Sequence, residues 1–86
     1  MEQHSIIWRG IALAITFSPE KFGMVDHIEL HTENKVALPV TETGYRSHFM
    51  ASGTVAAHGG AIAFVTAWLD HEAARIGWSG AQLSLF

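Results

Sequence analysis

The sequence predicts an α+β fold, an antiparallel sheet of three to four strands packed on one main C-terminal helix. Three observations carry that expectation. Residues 6–17 and 25–31 alternate large apolar side chains with polar or small ones, the period-two signature of strands. Clusters of Gly, Pro, Thr and Asn punctuate the first fifty residues. From residue 61 onward the period changes to three or four, as in an amphipathic helix.

In the first stretch Ile7, Ile11, Leu13, Ile15 and Phe17 share one face, and Ile6, Trp8, Gly10, Ala12, Ala14 and Thr16 share the other. So many β-branched residues at period two argue for one long strand. Residues 18–23, with Ser18, Pro19 and Gly23, have the composition of a turn or loop. A second strand over residues 25–31 turns Ile28 and Leu30 inward and His27, Glu29 and His31 outward. Thr32, Glu33, Asn34 and Lys35 suit a four-residue hairpin connection. The third strand, residues 36–40, is confined to an edge by Pro39, which has no N–H for a ladder. After a breaker segment, residues 45–49 alternate again and place Tyr45 and Phe49 on one face of a fourth strand or extended loop. Thr54 is the expected cap of a short helical turn that Gly59 and Gly60 stop. The main helix covers residues 61–76, with Phe64, Val65, Trp68, Leu69, Glu72 and Ile76 as the stripe facing the sheet.

Composition narrows the function classes. A hydrophobic content of 49% is ample for a core, whereas 15% charged residues is low for a small monomer and points to a surface used for a protein partner or for a homodimer. The net charge is −3, and Arg9, Lys21, Lys35, Arg46 and Arg75 are scattered, so no basic stripe exists for direct nucleic-acid binding. Cysteine is absent, which excludes disulfides and thiolate metal sites and is compatible with a cytoplasmic location. The apolar run 11–17 is too short to span a bilayer, and the start of the chain lacks the basic residues of a signal peptide.

Few constellations carry chemistry. His27, Glu29 and His31 alternate on one strand face with neighbours ~7 Å apart, within chelation reach, but a metal site would need a further ligand such as His48 or Glu33. A solvated strand face accounts for them better. His71 beside Asp70 and Glu72 reads as a helix-surface histidine. The densest polar segment, residues 41–49, offers Glu42 or His48 as a base and Arg46 as an anion clamp, yet no nucleophile motif, phosphate loop or helical metal signature accompanies them. The expectation is a non-enzymatic protein with no catalytic residue, metal site or cofactor.

The C-terminus is more specific. Gln82, Leu83, Ser84, Leu85 and Phe86 combine an amide that can donate and accept with three apolar anchors, preceded by the hinge residue Gly80. This pentapeptide resembles the motif by which many bacterial proteins dock on the DNA polymerase sliding clamp, Gln-Leu-(Ser or Asp)-Leu-Phe, and matches all five positions. The resemblance implies the clamp as partner, with Leu83, Leu85 and Phe86 as anchors and Gln82 setting the register. The chain then divides into a single α+β domain, residues 1–79, and a docking tail, residues 80–86. The alternative is a tail that packs on its own domain as an edge strand. A second resemblance covers residues 41–49 and 63–70, which look like small uncharacterised proteins of proteobacterial mobile elements. That setting implies an accessory protein and includes inhibitors of host defence nucleases of the anti-CRISPR kind, acting by protein contact.

Overall fold

A computed structural model describes residues 1–78. Four strands, β1 (Glu2–Trp8), β2 (Ile11–Lys21), β3 (Val25–Thr32) and β4 (Tyr45–Ala51), form an antiparallel meander in the order β1-β2-β3-β4. Helix α1 (Thr54–Ala57) is a single turn, and α2 (Ala61–Ile76) lies across one face of the sheet. The expected α+β class, sheet and C-terminal helix are all present.

The long first strand is instead a hairpin. Arg9 and Gly10 both have positive φ, 49° and 82°, and form a two-residue turn between the paired residues Trp8 and Ile11. Turns of this hand match the twist of the flanking strands. A two-residue turn puts its flanking residues on the same face, so parity changes at the turn. Ile6 and Trp8 therefore join Ile11, Leu13, Ile15 and Phe17 against the core, and Ile7 points outward at 75% exposure. The expected grouping of Ile7 with the core and Trp8 with the far face is thus reversed.

Two connections also differ from expectation. Strand β2 runs on through Ser18 and Pro19 to Lys21, where a loop was expected. A bulge between Ser18 and Lys21 tolerates Pro19, which could not serve a regular ladder. Residues 36–40 are not a strand: only Leu38 and Thr41 form a bridge, and β3 pairs with β4. Leu38 is buried in the core from within this loop, so the apolar run reflects burial rather than pairing. The loop is closed where the Thr32 amide donates to the Gly44 carbonyl at 2.8 Å and the Thr32 hydroxyl donates to the Val36 carbonyl at 2.7 Å.

Helix α2 has the expected bounds, but its buried stripe is Ala61, Val65, Leu69 and Ala73. Phe64, Trp68 and Glu72 flank that stripe as half-buried residues, and Ile76 is 47% exposed. Alanines at both ends of the buried stripe allow the helix axis to approach the sheet closely, with Ile15, Ile28 and Leu30 completely buried beneath it.

Asp26 performs the capping expected of Thr54. Gly53 is the N-cap of α1 and has no capping side chain of its own. The Asp26 carboxylate, on β3 and 2% exposed, accepts the Gly53 amide at 3.0 Å and the Val55 amide at 3.4 Å. Its other oxygen accepts the Glu20 amide at 3.1 Å, tying the β2 bulge to the start of α1. At the far end of α2, Gly77 is left-handed and the Trp78 amide returns to the Ala73 carbonyl at 2.9 Å, a closing 6→1 bond. The Trp78 ring then packs on Trp8 with centroids 5.1 Å apart.

Candidate functional site

The helices occupy one face of the sheet, and the opposite face is open among the described residues. Register determines which side chains meet there. Ser5, Ala14, His31 and Tyr45 form one row across all four strands, and Gln3, Thr16, Glu29 and Ser47 form the next. The small side chains of β2 make a trough of about 710 Å³, lined by Ser5, Ile7, Ala12, Ala14, His31 and Glu33.

Beside the trough, β3 and β4 raise a ridge of paired rings. His27 stacks on Phe49 with centroids 4.2 Å apart, and its Nε2 shares a 2.7 Å hydrogen bond with the Ser47 hydroxyl. His31 packs against Tyr45 at 4.7 Å, and the Tyr45 hydroxyl donates to Glu29 at 2.9 Å. That bond to a carboxylate raises the Tyr45 pKa above its ordinary value, with desolvation adding to the shift. His27, Glu29 and His31 thus share the outer face, as the alternation predicted, but each is engaged by an aromatic neighbour on β4. His27 is also 7% exposed, because Phe49 covers it. Among the described residues no group of three His, Asp or Glu side chains is placed to hold a metal ion.

The second constellation lies at the margin of the inner face. Arg46 and His48 of β4 pair with Leu30 and Ile28 and so point toward the helical side. Both side chains meet Trp68 of α2: the His48 ring centroid is 4.8 Å from that of the indole, and the Arg46 guanidinium carbon lies 6.0 Å from the indole centroid. With Val40 of the loop and Glu72 and Arg75 of α2 they enclose a cleft of about 350 Å³. Arg75 donates to Glu72 Oε1 from Nε at 3.0 Å and from Nη2 at 2.7 Å. This contact holds the Glu72 carboxyl below its usual range and raises the Arg75 guanidinium. Burial, and then the charge of Arg46, lowers the His48 pKa from 6.5, so His48 is neutral near pH 7. Of the polar segment singled out in the sequence, Arg46 and His48 come together here, whereas Glu42 is exposed and outside the cleft. Their helical partners Trp68, Glu72 and Arg75 were missed. The sequence pattern places Trp68 and Glu72 in the core stripe and offers Arg75 only as one of the scattered basic residues. The one polar member of that stripe, Glu72, was the available signal. His71 is exposed on α2, as expected.

The tail residues Gln82, Leu83, Ser84, Leu85 and Phe86 lie outside the described residues. The described chain reaches Trp78, which is anchored on Trp8.

These features define a two-layer α+β module: a four-stranded meander, one covering helix, an open ridge-and-trough face and a small basic-aromatic cleft. The chain belongs to the KlcB third domain family, whose profile matches residues 1–78. No curated protein matches the chain, and no solved structure matches it. No helix among the described residues is long and apolar enough to cross a membrane.

Proposed function

We propose that this chain is a small non-enzymatic accessory protein that docks on the bacterial DNA polymerase sliding clamp through Gln82, Leu83, Ser84, Leu85 and Phe86. The family match suggests a small accessory or mobile-element-associated protein. The observation that carries the clamp reading is the position of the motif. The family match covers residues 1–78, and only three residues, 79–81, separate it from Gln82, where the five-residue motif begins. A peptide appended to a folded body can bind extended, its alternate side chains filling pockets of a partner. Burying three apolar anchors is worth roughly 1.5–3 kcal/mol each. Ordering the segment costs about 2–5 kcal/mol, which leaves at most about 7 kcal/mol, a weak contact with a Kd of about ten micromolar or above.

The test measures clamp binding by fluorescence anisotropy for the full chain, for the Gln82→Ala, Leu83→Ala double variant and for a synthetic peptide of residues 79–86. Binding is expected to vanish in the double variant, the peptide to bind within about threefold of the full chain, and the melting temperature to stay unchanged. Undiminished binding by the double variant, or a marked drop in its melting temperature, rejects the reading.

The exposed apolar groups of the open sheet face, Ile7 and Phe49, favour a second reading. In it the body is a mobile-element-encoded inhibitor that covers a surface of a host defence nuclease complex. Ile7→Asp would then abolish inhibition, whereas removal of residues 82–86 would not.

A further inference from the structure

We infer that the cleft between the 36–44 loop, β4 and α2 binds a single carboxylate group, with Arg46 as its principal ligand. The carboxylate belongs either to a free small acid or to an acidic side chain of a peptide.

Four observations lead there. First, among the described residues the other two arginines have a carboxylate, Arg9 with Asp70 at 3.9 Å and Arg75 with Glu72 at 2.7 Å, whereas Arg46 is in no ion pair. Second, Arg46 is positioned by its contact with the Trp68 ring. A guanidinium held against an aromatic face loses less freedom on binding and presents a planar fork that fits a carboxylate edge. Third, the cleft has apolar walls, Val40 and Trp68, beside its charged groups. Arg46 itself is exposed, so an incoming acid can reach it, and the hydrogen bond it would form is charge-assisted. Fourth, the charge balance selects the ligand. Arg46 and Arg75 contribute two positive charges and Glu72 one negative, and His48 is neutral, which leaves a net of +1 in the cleft on a chain of net −3. A monoanion neutralises that charge. A phosphate dianion overshoots it and meets the Glu72 carboxylate in the wall. No helix N-terminus or glycine-rich nest is among the lining residues to offset the second charge.

Glu72 is the internal competitor for Arg46. Its Oε1 atom is occupied by Arg75, which keeps Arg46 available. Removing the Arg75 guanidinium releases Glu72 toward Arg46 and closes the site from within.

The experiment follows the Arg46 Nε–H and Trp68 indole N–H signals by NMR. The full chain is titrated separately with acetate, with N-acetyl-glutamate amide and with inorganic phosphate. Both carboxylates are expected to give saturable shifts of both signals, and phosphate a response at least about tenfold weaker. The better of the two carboxylates identifies the source, a free acid or a peptide side chain, and either outcome supports the site. Arg46→Gln should weaken carboxylate binding by about tenfold or more, the size of one charge-assisted contact. Arg46→Lys, which keeps the charge but loses the fork, should weaken it less, and Arg75→Gln should abolish it. The proposal is overturned if neither carboxylate shifts these signals in the wild-type chain, if phosphate binds more tightly than both, or if Arg46→Gln retains wild-type affinity. Clamp binding through the tail does not enter this measurement, so the two readings fail separately.

Discussion

Removing the Asp26 carboxylate tests whether one buried side chain holds the two ends of this fold together. Asp26→Ala strips the acceptor from three backbone amides, those of Glu20 at 3.1 Å, Gly53 at 3.0 Å and Val55 at 3.4 Å. A hydrogen bond to a charged group contributes about 1.5–3 kcal/mol. The two shorter bonds come from exposed residues, where water can take over part of the work. The Val55 amide belongs to a completely buried residue, and stranding it costs about 1–3 kcal/mol although its present bond is long. The net loss is then about 3–4 kcal/mol. A domain of this length has roughly 4–13 kcal/mol of stability in all. The melting temperature should drop by about 12–30 °C, at 4–8 °C per kcal/mol. Urea unfolding followed by Trp fluorescence measures the loss, and amide exchange locates it. Protection should fall at Glu20, Gly53 and Val55 before it falls in the sheet. Asp26→Asn keeps one acceptor and turns an amide N–H toward a backbone donor, so it should lose about half as much. A variant within about 0.5 kcal/mol of the wild type, the range of an ordinary surface change, would refute the capping argument.

Three further outcomes follow from the packing. Leu69→Ala, at a completely buried position, should cost about 2–5 kcal/mol, and Trp68→Ala clearly less because its ring is half-buried, an order that chemical denaturation reads directly. Gly44→Ala should destabilise severely, because an added Cβ would lie 2.7 Å from the Lys35 Cα and the residue sits at φ 80°; thermal melting should show the loss, and Gly10→Ala, which meets no neighbour within 4 Å, should be milder. His48 is held neutral in the fold, so the unfolded chain binds its proton more readily. Its contribution to stability is therefore intact above about pH 6.5 and declines as pH falls through the window between 6.5 and its lower folded value, facing Arg46 on β4 and Glu72 and Arg75 on α2. His48→Gln should flatten that part of the stability–pH curve, and the His48 ring proton should titrate below 6.5 in the folded chain.

The parts of the fold that were legible in the sequence are those where pattern and burial coincide. Helix α2 has the anticipated bounds because Gly59 and Gly60 precede it and Gly77 follows it. Strand β3 was legible because Ile28 and Leu30 alternate with polar neighbours that stay on the outer face. The first hairpin was hidden because its turn is spelled Arg9-Gly10 rather than Asn-Gly, so one glycine had to signal a reversal. Arg9 adopts its left-handed conformation while its guanidinium reaches Asp70 of α2 at 3.9 Å, a tertiary contact that local composition does not reveal. The helix stripe was placed one position away from its real centre, since Phe64 and Trp68 outweigh Ala61 and Ala73 in any hydrophobic count. The same error concealed the cleft. Half of the site, Arg46 and His48, was visible as a dense polar run, and the other half was taken for core.

An uncovered sheet face attracts attention as a docking surface, yet the chemistry of this one suits it to water. Its rings stack in pairs, Phe49 over His27 and Tyr45 against His31, with the outer sides of Phe49 and Tyr45 exposed and the hydroxyls of Thr16, Ser18 and Ser47 on the same face. Covering such a face would require new partners for each hydroxyl and imidazole, and each one left unpaired would oppose association by about 1–3 kcal/mol. Ile7, at the end of the trough, and the outer side of Phe49 would gain simply by being covered. One other feature gains more from a partner: the Arg46 guanidinium over Trp68, which among the described residues is in no ion pair. Among the described residues, recognition by this module is therefore best sought at the cleft beside α2, where β4 places Arg46 and His48 against Trp68.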